Sequence, residues 1–122
     1  EHLNEATVPG MLLHRLDETL ELLTATGHEH VRLIFDTGHV AAMDGPVLPW
    51  LERAWPWVST VQIADQPGRV EPGAGDTGIE AVFDWLRAQQ HGGLIELEHG
   101  WARPGRDAEE AGLHRLRRWM ED

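Results

Sequence analysis

Three strand-sized apolar runs, each followed by turn residues and separated by helical patterns, constrain this chain more than any other feature. They cover residues 31–36, 58–65 and 94–98 and are rich in Val, Ile and Leu. Thr37-Gly38, Gln66-Pro67-Gly68 and Gly100 follow them, the punctuation expected after a buried strand. Between the runs lie helical patterns. Residues 11–25 carry Leu12, Leu13, Leu16, Leu20, Leu22 and Leu23 and stop at Gly27, a broad apolar stripe with a natural C-terminal stop. Residues 46–55 read as a short helix with Pro at its start. Residues 79–88 place Ile79, Val82, Phe83 and Leu86 on one face before Gly92-Gly93. Residues 107–120 form a last helix, with Asp107 as its N-cap and acidic Glu109 and Glu110 in its first turn. Residues 1–3 are expected to be the stub of a fourth strand. Strict alternation of this kind predicts an α/β fold with a parallel sheet and right-handed crossovers.

The 122 residues are the size of one domain, and no linker or low-complexity tract divides them. The stretch 66–78 is the one long loop, and long loops in compact domains are often functional. Ten basic against 21 acidic side chains give a formal charge of −11. That balance argues against nucleic acid or an anionic membrane surface as a partner, since either needs a positive face. With no cysteine, disulfides, thiolate metal sites and cysteine nucleophiles are excluded. All basic residues are Arg, so no lysine is present for Schiff-base or general-base work. No apolar run is long enough to span a bilayer and no secretory leader opens the chain, so the expected compartment is the cytoplasm. The start at Glu1 rather than Met reads as a cut inside a longer protein.

Four oxygen-bearing side chains sit at or near the strand ends: Glu1, Asp36, Gln62 and Glu98. They recur at intervals of about one βα repeat, roughly 30 residues. In a parallel βα array all strand ends share one face, so the four are expected to converge where such folds place their chemistry. Side-chain parity sets Gln62 against Val61 and Ile63, Glu98 against Leu97, and Asp36 against Phe35. Buried polar groups of this kind need a partner. One divalent cation would satisfy all four, and a hard all-oxygen shell suits magnesium or manganese. No phosphate-cradling glycine loop of the P-loop type calls for a further cofactor.

At these residues the sequence resembles a known family. The run from Gln62 to Asp76, QIADQPGRVEPGAGD, is similar to the loop after the seventh strand of hydroxypyruvate isomerases, members of the xylose-isomerase-like TIM-barrel superfamily. Phe35-Asp36-Thr37-Gly38-His39 resembles that family's motif after strand six, Glu1-His2-Leu3-Asn4 the end of strand five, and Leu97-Glu98-His99 the start of the site at strand eight. The resemblance runs from Glu1 to about Pro104. It implies that the chain is the second half of a (β/α)8 barrel, which in full needs about 250 residues. It further implies that Glu1, Asp36, Gln62 and Glu98 are metal ligands, that Glu1 and Glu98 are the catalytic proton-transfer pair, and that His39 and Arg69 bind substrate. The implied substrate is a small hydroxy-carbonyl acid of the hydroxypyruvate or tartronate semialdehyde type, isomerised through an enediolate. Gln62 distinguishes this branch from the sugar epimerases and the DNA-repair endonucleases, which usually carry histidine there.

Departures from the family pattern carry expectations of their own. Gly38 replaces an aromatic and should loosen that wall. Glu96 stands two residues before Glu98 on the same inward face and is expected to pair with Arg32. Asp76 is a candidate cap for the helix near Gly78, and Glu71 a plain loop acid. A half-barrel leaves two open sheet edges and an uncovered inner face, so a missing N-terminal half or a homo-oligomer is expected to complete it. The alternatives are a sugar epimerase of the same superfamily, or an inactive half-barrel that must associate to fold.

Overall fold

A computed structural model describes residues 1–121. Three strands, β1 (Leu33–Asp36), β2 (Val58–Ile63) and β3 (Leu94–Leu97), form one sheet in the order β1-β2-β3. Both pairings are parallel. Five α-helices accompany them: α1 (Leu16–Thr26), α2 (Thr37–Met43), α3 (Val47–Ala54), α4 (Ile79–Ala88) and α5 (Arg106–Glu121), with a 3-10 turn at Trp55–Trp57. This is the expected βα array. Among the described residues, no helix is long and apolar enough to cross a membrane.

The register sorts the side chains into two faces. Phe35, Val61 and Ile95 pair across the sheet on the face that the helices cover. Phe35 and Val61 are fully buried there with Leu16, Leu20, Val40, Leu51, Ile79 and Val82. The alternate rows, Ile34–Thr60–Leu94 and Asp36–Gln62–Glu96, lie on the other face. Leu94 is 58% exposed, so this inner face is open at β3. Only the last of these rows is polar throughout, and it lies at the C-terminal ends of the strands.

Helix α4 has the predicted bounds, because apolar spacing and the glycines beyond it agree. Helix α1 ends as expected at Gly27, which is left-handed at φ 59 and returns its N–H to the Leu23 carbonyl. It starts at Leu16, five residues later than the leucine pattern predicts. The reason is distant in sequence: Asp44 Oδ1 accepts from the Leu16 backbone N–H at 3.2 Å, satisfying a free donor of the first turn. Leu12 is left 91% exposed. Helix α2 was not expected at all. Thr37-Gly38 reads as a turn, yet the chain enters a helix directly from β1, with Asp36 as N-cap.

Three smaller expectations fail. Residues 1–3 form no strand; Leu3 instead gives its N–H to the Leu13 carbonyl, and the flanking His2 and Asn4 are buried. Asp76 does not cap α4, whose N-cap is left-handed Gly78 without a side-chain bond. Asp107 lies inside the first turn of α5 rather than ahead of it.

Candidate active site at the strand ends

Asp36 closes β1 and its side chain is fully buried. Its Oδ1 accepts from the His39 backbone N–H at 2.9 Å, the capping bond of α2. The same carboxylate is held in a fork by Arg69, with Nη1 to Oδ1 at 3.1 Å and Nη2 to Oδ2 at 2.8 Å. This is a bidentate, charge-assisted pair. Burial opposes the charge on Arg69, but the bonds and charge of Asp36, then the charges of Glu98 and Glu1, hold its pKa above the ordinary arginine value.

His39 follows on α2, 5% exposed. Its Nδ1 lies 3.0 Å from the backbone N–H of Asn4 and 2.7 Å from Asn4 Nδ2. A backbone N–H can only donate, so Nδ1 is the acceptor and the neutral ring carries its proton on Nε2. Burial lowers the His39 pKa and favours that neutral form. Nε2 points at Glu1 Oε1, 3.5 Å away. Burial, then the charges of Asp36 and Glu98, push the Glu1 carboxyl upward. Candidate ligand atoms of Glu1, Asp36 and His39 lie within 4.8 Å of one another. Because His39 Nε2 is the protonated nitrogen, its geometry suits donation to an oxygen better than metal ligation.

Gln62 is the direct neighbour of Asp36 across β1 and β2. Its Nε2 donates to Glu96 Oε2 at 3.1 Å, and its Oε1 is buried and, among the described residues, accepts from nothing. Glu98 lies just beyond β3, its side chain 54% exposed, and its Oε1 is 3.4 Å from Arg69 Nη2. It stands outside the tight group of Glu1, Asp36 and His39 and joins the site through Arg69. The structure therefore brings Glu1, Asp36, His39 and Arg69 into contact, sets Gln62 beside Asp36, and leaves Glu98 at the mouth.

Glu96 does not pair with Arg32. Arg32 Nη2 donates to the Val58 carbonyl at 3.2 Å, while Glu96 takes Gln62. Register explains it: Glu96 is level with Gln62 and Asp36, four residues beyond Arg32 and two strands away. The separation is about 13 Å along the strand and about 10 Å across it. The wall at Gly38 is not loosened either. A Cβ on Gly38 would lie 2.9 Å from Arg69 Nη1 and 3.0 Å from Ala64 Cβ, so the arginine fills the space.

Several supporting residues carried no sequence signal strong enough to single them out. Asn4 fixes the His39 tautomer and, through Oδ1, accepts from the Thr7 N–H at 3.0 Å. Thr37 Oγ1 donates to the Ala64 carbonyl at 2.8 Å and accepts from its N–H at 2.9 Å, tying the ends of β1 and β2. His2 Nε2 sits 3.3 Å from Asp44 Oδ2, both side chains fully buried. Asp65 is the centre of the long loop. Its Oδ1 accepts from the N–H groups of Gln66 and Thr77, and its Oδ2 from those of Gly73 and Gly75, at 2.8–3.0 Å. Burial alone would raise its pKa, and hydrogen bonds from Thr77, first through its side chain and then its backbone, and from the N–H groups of Gly73 and Gly75 hold it below the ordinary carboxylate value. Glu71 is more than a loop acid: it is 8% exposed and accepts from the Ala102 N–H at 2.7 Å.

The comparisons with known proteins bear on the family and the fold. Hydroxypyruvate isomerase of Escherichia coli is 27% identical over 121 residues, covering 99% of this chain and 44% of that protein. The 2-oxo-tetronate isomerase of Cupriavidus necator is 28% identical over 114 residues, with 85% and 44% coverage. A crystal structure of AP endonuclease, family 2, from Brucella melitensis superposes with a TM-score of 0.83 at 26% identity, covering 96% of this chain and 44% of that one. The chain thus spans less than half the length of these relatives, as a half-barrel would. Residues 3–122 match the family described as xylose isomerase-like TIM barrel, and the chain belongs to that family.

Proposed function

We propose that this chain supplies the C-terminal half of a metal-dependent isomerase acting on a small hydroxy-carbonyl acid. The observation that carries the reading is the convergence of Glu1, Asp36 and His39, with Arg69 on Asp36, at the strand ends. The naming of two relatives as isomerases of small keto acids supports the substrate class.

The residues fit a hard divalent cation, magnesium or manganese. Asp36 and Glu1 offer carboxylate oxygens, Glu98 stands at the mouth, and the buried, unpaired Oε1 of Gln62 is an amide oxygen in want of a partner. Such an ion, when bound, stabilises negative charge developing on the substrate oxygens as the enediolate forms. The chain's own residues do the rest. One of Glu1 and Glu98 removes the proton from the hydroxyl-bearing carbon beside the carbonyl, the other delivers a proton to the former carbonyl carbon, and the proton of the original hydroxyl passes to the former carbonyl oxygen, so the first carbon ends as the carbonyl. His39, with its proton fixed on Nε2 by Asn4, donates to a substrate oxygen. Arg69 binds the substrate carboxylate, for which its planar fork is suited.

The open inner face and the two free sheet edges favour one further reading, that the chain works only when closed by an N-terminal half or by a second copy of itself. A manganese-dependent assay of hydroxypyruvate and tartronate semialdehyde interconversion, run beside size-exclusion chromatography, tests both. Activity should require manganese and fall at least a hundredfold in Glu1→Gln and Glu98→Gln, each variant retaining the wild-type circular dichroism. Full activity in either variant refutes the proton-transfer pair. Epimerisation of a ketose in place of carbonyl transfer would move the protein to the sugar-epimerase branch. A fully active monomer would remove the need for a closing partner.

A further inference from the structure

We propose that Arg69 is a displaceable counter-cation: it holds Asp36 until a divalent cation takes that carboxylate, and cation binding requires the guanidinium to leave. The inference rests on the metal reading of the site given above. Asp36 already accepts three bonds, two from Arg69 and one from the His39 N–H, of the roughly four a carboxylate can accept. A second cation on the same two oxygens would compete with the guanidinium for lone pairs and repel its charge.

The surroundings are built for a side chain that moves on a fixed backbone. Gln66 Oε1 accepts from the N–H groups of Gly68 and Arg69 at 2.8 and 3.2 Å, and its Nε2 donates to the Gly38 carbonyl at 3.0 Å. The loop is therefore stapled to α2 without help from the guanidinium. Gly38 supplies the berth beside Asp36. Glu98 supplies a second acceptor, already 3.4 Å from Nη2 and more exposed than Asp36. The guanidinium can leave Asp36 toward the mouth without losing every anionic partner. There it would meet an incoming carboxylate, so cation loading would precede substrate capture.

The test is calorimetric titration of the metal-free protein with Mn2+, together with thermal unfolding in a chelator, for wild type, Arg69→Gln and Arg69→Lys. Arg69→Gln should bind Mn2+ at least tenfold more tightly and unfold at a lower temperature without metal. Low-millimolar guanidinium ion should partly reverse both effects in that variant. Arg69→Lys, which keeps the charge but loses the fork, should bind Mn2+ several-fold more tightly, and it reads the effect even if Arg69→Gln fails to fold. Unchanged or weaker Mn2+ binding in the folded variants overturns the displacement while leaving the metal reading intact. Absence of Mn2+ binding in wild type and variants alike overturns the metal reading and this inference with it.

Discussion

The sharpest test of how the site is held lies at Asp65, outside the reacting groups. Its side chain is buried and accepts four backbone N–H groups from a loop of twelve residues. Asp65→Asn keeps the volume and one carbonyl oxygen. It places an NH2 group, itself a donor, against two N–H groups that now have no acceptor. If Oδ1 is kept as the carbonyl, the orphaned donors are Gly73 and Gly75. Each unsatisfied buried donor costs about 1–3 kcal/mol, and the bonds that survive lose their charge assistance. Two orphans bound the loss at about 2–6 kcal/mol. Gly73 is exposed and can recover water by a small loop opening, whereas Gly75 is half-buried. A Cβ on Gly75 would collide with the Gln66 carbonyl oxygen, so the loop has little freedom to re-form around a new side chain. The expected loss is about 3 kcal/mol, or about 10 °C in Tm for a chain of this size.

The pH dependence gives this prediction a second edge. The folded-state pKa of Asp65 is lowered, so its contribution is present above the unfolded value, about 3.9. It is lost as pH falls through the folded value. The stability difference between wild type and Asp65→Asn should be full at pH 6–7 and shrink below about pH 4. Urea unfolding followed by tryptophan fluorescence at several pH values measures it. A variant within 0.5 kcal/mol of wild type at pH 7, or a difference that grows in acid, would refute the account of Asp65 as the ionised acceptor of the loop.

Asn4→Ala should cost about 1–2 kcal/mol through the lost Thr7 bond and the lost side-chain donor. It should still leave the His39 proton on Nε2, because the backbone N–H of residue 4 remains on Nδ1. Ring nitrogen shifts in an NMR spectrum report this, and a proton found mainly on Nδ1 would contradict the assignment. In Gly38→Ala the methyl group meets Arg69, Ala64 and Asp36 at 2.9–3.2 Å. Helix propensity returns about 1 kcal/mol against an overpacking cost of about 1–3 kcal/mol, so stability should fall by about 1 kcal/mol while Mn2+ affinity rises as in Arg69→Gln. Stability above wild type with unchanged Mn2+ affinity would show that Arg69 does not depend on the space at Gly38.

What the sequence makes legible is what local pattern and repeat spacing encode. The strands, α4 and the end of α1 follow from apolar period and glycine stops, and the closeness of Asp36 to Gln62 from their recurrence at strand ends; Glu1 lies on no strand, and Glu98 stands outside the group of Glu1, Asp36 and His39. The failures share a different cause. The start of α1 depends on Asp44, 28 residues away. Helix α2 depends on Asp36 acting as a cap when the next two residues read as a turn. The pairing of Glu96 with Arg32 assumed that two inward charges would meet, but the register lines Glu96 up with Gln62 instead. Asn4, Thr37 and Asp65 act through bonds to backbone groups that only the folded loops bring near, so residue type and spacing reveal nothing of their roles.

The same bonds give the site a rigid frame that does not depend on Arg69, the charge proposed above to move. Three anchors fix the backbone around Arg69: the reciprocal Thr37–Ala64 bonds at the ends of β1 and β2, the four bonds on Asp65, and the Gln66 staple to Gly38. None of them uses the guanidinium. The fork on Asp36 is thus not required to shape the loop. What it offsets is the cost of holding a buried carboxylate near Glu1 and Glu98. Any change that tightens this fork stabilises the metal-free protein and weakens its hold on a cation by the same interaction. On the displacement proposed above, cation affinity and metal-free stability cannot both rise through Arg69, so further stability has to come from positions such as Asp65, which lies outside the group of Glu1, Asp36 and His39.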